Sequence, residues 1–225
     1  MDNISGYKDR AIESLTGKWG NSAIATLIYT IILGGIPITF SYFVALTQSW
    51  LTMSDPLGNI IQIVLLPIFW GFEIMFLENI RKGDQELDLG KMFEGFKDYF
   101  RIMLTNLLVG IYTLLWMILL IIPGIIKMYS YSMTNYILLD DPDLKYNSAI
   151  EKSMAMMKGH KMDLFLLDLS MIGWLILSII TCGIGLLFLT PYNLTAHAHF
   201  YEVLKAEEQQ KIAEWTKYNN KKSKV

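Results

Sequence analysis

The chain has 225 residues, of which 53% are hydrophobic and only 18% are charged, whereas a soluble domain carries nearer to a quarter charged residues. Its net charge of −2, without a continuous basic face, argues against nucleic acid as a partner. Its single cysteine, Cys182, excludes an intramolecular disulfide and a thiolate zinc cluster. The apolar residues form runs of the length that a bilayer-crossing helix needs, roughly 20 residues. The composition therefore predicts an all-α, polytopic membrane protein.

Taken in chain order, six apolar runs predict six transmembrane helices arranged as three hairpins. The first run follows charged residues and is too long for a signal peptide, so we expect it to remain in the protein. Two glycines and a proline interrupt it, which membrane helices tolerate where neighbouring groups satisfy the backbone. The third and fourth spans meet at a break, Pro123–Gly124. The predicted spans are residues 23–46, 60–80, 102–122, 124–140, 162–180 and 184–204, with a cytoplasmic tail over 205–225.

A short amphipathic helix precedes each hairpin, at residues 4–16, 87–100 and 144–158. Aromatic and charged side chains together suit helices that lie in the membrane interface, and we expect all three on the cytoplasmic side. Each has a glycine followed by a lysine near its end, which indicates either three copies of one unit or chance similarity between helix ends. The apolar positions that define these helices are Tyr7, Ala11, Leu15, Leu89, Met92, Phe93, Phe96, Phe100, Tyr146, Ile150, Met154 and Met157.

The positions of the basic residues predict how the spans are threaded. All of the 19 Lys and Arg residues except Lys127 lie in four segments. These segments are residues 1–22, 81–101, 140–161 and 205–225. The connectors 47–59 and 181–183 hold none. Because cytoplasmic segments are enriched in Lys and Arg, we expect six spans with both termini in the cytoplasm. A five-span arrangement, with 102–140 as one crossing, is rejected because it would place the lysines of the third basic segment outside.

Short motifs along nearly the whole chain carry a family resemblance. They are Trp116 with Ile121–Lys127, Tyr129–Met133, Ser153 with Met157–Lys161, Gly173–Trp174, Pro191–Tyr192 and Phe200–Tyr201. Together they resemble the bacterial integral membrane proteins of domain-of-unknown-function family 975. The resemblance implies a six-helix membrane protein from a bacterium, without an established activity. The chain looks more remotely like the membrane domains fused to some glycerophosphodiester phosphodiesterases, but it has no soluble catalytic domain, so that activity is not expected.

Polar residues within the predicted spans are the candidate functional residues, since such groups are costly inside a membrane. Most lie about 7–12 Å from the cytoplasmic end of their span, at 1.5 Å per residue, which would suit one polar pocket open to the cytoplasm. Hydrogen bonding between helices and snorkelling of carboxylates would explain the same residues. The candidate pocket residues are Glu73, Asn106, Lys127, Tyr131, Asn135, Asp168, His197 and His199.

Histidine and lysine raise further hypotheses. His197 and His199 are two residues apart on a helix, so their imidazoles point about 200° apart, and we do not expect them to share a metal ion. Lys127, on the outer side, is expected either to snorkel outward or to pair with a buried acid. Neither a metal nor a cofactor is predicted. Lipid headgroups are the expected partners of Lys91, Lys97, Lys158, His160 and Lys161.

The sequence contains no nucleophile elbow, phosphate-binding glycine loop or zinc-protease motif. It therefore favours a non-enzymatic membrane protein that binds lipid, a membrane protein partner or a second copy of itself. The alternative is a small transporter or channel that uses the polar layer around Glu73, Asn135 and Asp168. A membrane-embedded lipid enzyme has the least support, because it would need a carboxylate or histidine pair in mutual reach beside a lipid-sized cleft. The expected location is a bacterial cytoplasmic membrane.

Overall fold

The computed structural model describes residues 4–35, 63–83 and 86–222. The described residues are helical, without a strand among them, so the all-α prediction is confirmed. The α-helices are α1 Ile4–Leu15, α2 Trp19–Thr30, α3 Leu66–Lys82, α4 Tyr99–Leu119, α5 Ile121–Tyr131, α6 Thr134–Asp140, α7 Asn147–Met156, α8 Lys161–Leu169, α9 Ile172–Ile180 and α10 Leu186–Lys222. A π-helical turn, Ile31–Gly35, continues α2, and a 3-10 helix, Leu89–Asp98, precedes α4.

Parts of the first two predicted spans lie outside the described residues. Helix α2 and its π-helical turn cover the first span as far as Gly35, and α3 covers the end of the second. Residues 36–46 of the first span, residues 60–62 of the second and the predicted connector 47–59 belong to the part of the chain that the structure does not describe.

The first hairpin of the described chain joins α4 to α5. Its break lies at Leu120, whose φ of −159° and ψ of 131° are extended, and not at Pro123–Gly124 as predicted. Pro123 instead lies in the first turn of α5, where a backbone N–H has no partner within the helix and a proline is tolerated. A Cβ on Gly124 would lie 2.8 Å from Met117 Cα, so the glycine allows α4 and α5 to approach closely.

The later predicted spans differ from the observed helices in where they are interrupted. A turn at Ser132–Met133 divides the fourth into α5 and α6, and a turn at Ser170–Met171 divides the fifth into α8 and α9. The sixth is the first half of α10, which continues to Lys222. The predicted tail extends this helix because its Lys, Ala, Glu and Gln residues are strong helix formers.

Two of the three amphipathic helices bury their apolar residues against other helices. Tyr7, Ala11 and Leu15 of α1 are at most 2% exposed, and the Tyr7 ring lies 5.2 Å from that of Phe200 on α10. Ile150 of α7 is likewise buried. These apolar stripes therefore contact protein, and the interfacial position of α1 and α7 stays a prediction.

The remaining amphipathic segment, predicted as a helix over 87–100, forms the 3-10 helix Leu89–Asp98, and α4 begins directly after it. A close approach to α3 accompanies this geometry. A Cβ on Gly71 would lie 2.3 Å from the carbonyl oxygen of Met92, and one on Gly95 would lie 2.5 Å from that of Pro67. Met92 is consequently buried, while the three phenylalanines of the predicted apolar face point outward. Phe93, Phe96 and Phe100 are 49%, 40% and 70% exposed.

Two stretches of helix in the described residues are long and apolar enough to cross a membrane. They are Leu89–Leu119 and Lys161–Ile180, and the apolar helix Trp19–Gly34 is shorter. Only 11% and 22% of their most apolar windows are buried, whereas the core helix of a soluble protein is mostly buried. Six membrane-spanning helices are therefore not confirmed, but the apolar surface of these two stretches faces outward.

That outward-facing surface is greatest where two hairpins turn. We call residues 114–126 of the α4–α5 hairpin and residues 172–188 of the α9–α10 hairpin the hairpin tips. Ile118, Ile121 and Ile180 are 74%, 73% and 72% exposed. The hairpin tips thus place large aliphatic side chains in contact with the surroundings of the protein.

Candidate functional site

Glu73 and Asn135, both predicted pocket residues, meet between α3 and α6. Asn135 Nδ2 donates a hydrogen bond to Glu73 Oε2 over 2.6 Å, and the indole N–H of Trp70 donates to the Asn135 carbonyl over 3.0 Å. Glu73 and Asn135 are each 8% exposed. This contact is closed off from the surroundings and joins two helices.

A second contact brings Asp168 of α8 together with His197 of α10. His197 Nε2 lies 2.6 Å from Asp168 Oδ1. Asn193 Nδ2 donates to the same oxygen over 3.2 Å, and the Tyr129 hydroxyl donates to Oδ2 over 3.0 Å. Two helices, α5 and α10, therefore direct hydrogen-bonding groups at one carboxylate on α8.

Local helix geometry explains why these side chains converge. Asn193 and His197 are four residues apart on α10, so they lie on one face of that helix. On α8, Phe165 precedes Asp168 by one turn, and its ring packs edge-on against Tyr129 with 5.8 Å between the centroids. The aromatic contact holds Tyr129 of α5 beside the carboxylate.

Unlike Glu73, Asp168 lines a cleft with a volume of about 460 Å³. This amphipathic cleft, as we call it, has Asp168 and His197 at its polar end. Mostly apolar residues of α8, α9 and α10 line the rest, with Phe165 and Thr190 among them, and none of the described residues along the cleft is a lysine or arginine. The residues that continue the cleft toward the hairpin tip are Met171, Ile172, Leu175, Leu186 and Leu189. Such a volume is within the usual range for small-molecule sites, about 300–1,000 Å³.

The other predicted pocket residues point elsewhere. Asn106 donates to the carbonyl of Ile102 on its own helix over 3.0 Å. His199 bonds Ser14 of α1 over 2.8 Å, away from His197. Tyr131 packs near Tyr112, with 6.5 Å between the ring centroids. The predicted single pocket is therefore divided between several contacts.

Lys127 contacts an aromatic ring and not the buried acid that one of its two expected behaviours required, while its outward snorkelling stays a prediction. Its Nζ lies 4.9 Å from the centroid of the Trp116 ring, in a cation–π contact, and 4.0 Å from the sulfur of Met154. The aromatic face offers the ammonium a partner within an apolar part of the molecule. Among the described residues, no group of three or more His, Cys, Asp or Glu side chains is arranged to hold a metal ion.

The structure also contains a charged cluster that the sequence analysis did not identify. Asp140 accepts two hydrogen bonds from the Arg81 guanidinium, over 2.7 and 2.9 Å. It also accepts 2.7 Å bonds from Lys205 and from the Tyr201 hydroxyl. Glu202 lies 2.6 Å from Arg81. We call these five residues the charged end, because they join the ends of α3 and α6 to α10.

The electrostatics of the charged end are those of a paired network. Partial burial opposes the charged form of Arg81, but its hydrogen bonds to Asp140 and Glu202 outweigh this, and the pKa of Arg81 lies above its ordinary value. The sequence did contain a signal for this cluster. Oppositely charged residues stand at the ends of three predicted spans that were all expected to finish on the cytoplasmic side. The sequence analysis counted Arg81 and Lys205 only as markers of orientation.

The predicted headgroup contacts fall into two groups. Lys91 Nζ lies 3.0 Å from Glu78 and 2.7 Å from Glu94, and its hydrogen bond lowers the pKa of the Glu94 carboxyl. His160 lies 3.6 Å from Asp163 and 3.7 Å from Glu207. These two side chains therefore have protein carboxylates beside them. The remainder are more accessible, since Lys97 is 78% exposed although its Nζ lies 3.3 Å from Glu94, Lys158 is exposed and Lys161 is half-buried.

Comparison with known families places this arrangement in a group of related proteins. A model described as "Protein of unknown function (DUF975)" matches residues 1–130 and 117–208. This chain belongs to the DUF975 family. The matched ranges of the DUF975 chain include Glu73, Asn135 and the whole amphipathic cleft. The resemblance seen in the sequence is thereby confirmed, although the family description names no activity. No curated protein and no solved structure matches the chain.

Proposed function

We propose that this DUF975 protein is a non-enzymatic, multi-pass protein of a bacterial cytoplasmic membrane that binds lipid or a membrane partner. The observation that supports it best is the separation between the charged end and the hairpin tips. On α10, 19 residues separate Leu186 from Lys205, which is about 28 Å along a helix. That distance matches the roughly 30 Å hydrocarbon core of a bilayer.

The same spacing is found in α4 and in α8 and α9 taken together across the turn at Ser170–Met171. Arg101 precedes Leu119 of α4 by 18 residues, and Lys161 of α8 precedes Ile180 of α9 by 19 residues, again about 27–28 Å. Exposed isoleucines at one end and ion pairs at the other suit lipid tails and the cytoplasmic headgroup region, respectively. Together with the distribution of Lys and Arg, this supports six spans with both termini in the cytoplasm.

Labelling of cysteines in intact cells tests this threading. Cys182, the only cysteine, lies in the turn expected on the outer side, and a membrane-impermeant maleimide should label it without permeabilisation. In a Cys182→Ala background, Asp143→Cys should be labelled only after permeabilisation. Labelling of Cys182 only in permeabilised cells would contradict the proposal.

The lipid-binding part of the proposal is supported by the surface formed by Phe93, Phe96, Phe100 and Lys97. Exposed aromatic rings beside a lysine are typical of the membrane interface, where the lysine attracts anionic headgroups. We expect the reconstituted full chain to bind anionic lipid in preference to zwitterionic lipid, measured with spin-labelled lipids. Lys97→Gln should reduce the preference. Lys127→Gln is the control and should not, because Lys127 lies over Trp116. An unchanged preference in Lys97→Gln would count against this surface.

The alternative of a transporter or channel receives less support, because Glu73 and Asn135 are closed off from any pathway. Its remaining support is the opening of the amphipathic cleft at Asp168. A lipid enzyme would need a carboxylate–histidine pair beside a cleft, and Asp168 with His197 provides that pair. Among the described residues, the lining of the cleft contains neither serine nor cysteine, so the part of the chain that the structure describes supplies no nucleophile of those types there. For that reason the non-enzymatic proposal is retained.

A further inference from the structure

The amphipathic cleft combines a polar end and an apolar length, which is the shape of an amphiphile. Asp168 has a side chain that is 29% exposed, so its carboxylate is accessible from the cleft while three side chains hold it in place. A carboxylate has about four lone-pair sites for hydrogen bonds. The structure fills three of them, which leaves capacity for one donor from a ligand.

The charges facing the cleft restrict the head group of a ligand. His197 and Asn193 both contact Asp168 Oδ1, and Asp168 is the only carboxylate among the described residues that line the cleft. Since none of the described residues that line the cleft is a lysine or arginine, a phosphate or carboxylate head group would face the Asp168 carboxylate without either side chain to offset the repulsion. A protonated amine would both neutralise this charge and donate the missing hydrogen bond.

The apolar part of the cleft sets the shape of the tail. From Asp168 to Leu175 the lining follows α8 and α9 for seven residues, about 10 Å. On α10 it extends from His197 to Leu186, eleven residues away, or about 17 Å. The cleft is thus longer than it needs to be for an amine alone, and its walls are largely aliphatic, with Phe165 and Thr190 as exceptions.

We propose that the amphipathic cleft binds a single-chain amphiphile with a protonated amine as its head group. The ammonium lies against Asp168, and the alkyl chain follows Ile172, Leu175, Leu186 and Leu189. This inference rests on the proposed membrane topology, because the cleft has to open toward lipid for such a molecule to enter. The cysteine-labelling experiment tests that topology separately.

The test uses the full chain in nanodiscs of zwitterionic lipid and an alkylammonium probe with a photoreactive diazirine on its chain. Mass spectrometry should locate crosslinks at residues 171–175 and 186–189. Unlabelled dodecylammonium should compete about tenfold or more strongly than dodecanol, the effect of one charge-assisted hydrogen bond. Dodecyl sulfate should compete least at these positions.

Two substitutions and one control make the result specific. Asp168→Asn should lower cleft labelling about tenfold and remove the preference for the amine over the alcohol. Asp163→Asn makes the same change on the same helix outside the cleft, and it should leave labelling unchanged. Leu175→Trp keeps Asp168 but fills the apolar part, so it should also abolish labelling, which provides a second test if Asp168→Asn does not fold.

Three results would overturn the proposal. Equal competition by dodecanol would show that the head group is not recognised by its charge. Stronger competition by dodecyl sulfate would show that the cleft prefers anions. Labelling that persists at the cleft residues in Leu175→Trp would place the alkyl chain elsewhere. If cysteine labelling supports the threading while any of these is found, only the ligand assignment fails.

Discussion

Helix α3 and the hairpin tips have similar apolar side chains in opposite surroundings. In α3, 11 of 17 residues are buried, and Ile74 is 0% exposed. In the α4–α5 tip, Ile118 is 74% exposed. The difference shows that apolar composition alone does not determine whether a side chain packs against protein or faces the surroundings of the molecule. In a membrane protein both surroundings are apolar, so only the neighbouring helices distinguish them.

The largest expected effect comes from shortening an isoleucine in each region. Ile74→Ala should lower the free energy of unfolding by about 2–5 kcal/mol, because it leaves a cavity in packed protein. Ile118→Ala should lower it by only about 0.5 kcal/mol or less, since no protein contact is lost there. Equilibrium unfolding of the full chain in mild detergent, followed by tryptophan fluorescence, measures both. Equal losses would mean that the hairpin tip is packed against protein in solution.

The glycines provide a second way to sharpen the comparison. Gly71→Ala should cost about 2–3 kcal/mol, because its Cβ would overlap with the backbone of the 3-10 helix and one of the two elements has to move. The control, Gly110→Ala in α4, has no atom within 4 Å of the added Cβ. It should stabilise the helix by about 0.5–1 kcal/mol. The same unfolding measurement applies, and a harmless Gly71→Ala would refute the close packing of α3.

Neighbouring aspartates give the smallest expected effect. Asp140→Asn should cost about 2 kcal/mol, because it removes the charge that pairs with Arg81 and Lys205 at the charged end. Asp141→Asn should cost less than about 1 kcal/mol, since its contact with Lys152 is more exposed. Thermal unfolding at low and high salt compares them. A difference that disappears at high salt would show that the charged end contributes no more than a surface ion pair, because salt screens exposed charges.

The sequence predicted the helical class and the hairpin near Pro123 because apolar length and breaker residues are local signals. The position of the break was wrong by three residues, since a proline is accommodated within the first turn of a helix as readily as between helices. The 3-10 helix was not predicted because its packing depends on two glycines. Gly71 of α3 lies close to the backbone of the 3-10 helix, and Gly95 of the 3-10 helix lies close to the backbone of α3; both are tertiary contacts.

The candidate site was predicted only as a set of residue types. Glu73 and Asp168 were identified because carboxylates are costly in apolar spans, but their partners lie 62 and 29 residues away along the chain. Which histidine contacts Asp168 depends on how α8 and α10 face each other, and a single sequence does not contain that information. For the same reason the aromatic partner of Lys127 was missed, although Trp116 lies only one hairpin turn away.

Helix α10 extends from the α9–α10 hairpin tip to Lys222 as one element of 37 residues, about 55 Å in length. His197 is 25 residues from its final residue, so a tilt of about 5° at the amphipathic cleft would displace that end by about 3 Å. Any tilt of α10 at the amphipathic cleft would therefore be amplified along the helix toward Lys222.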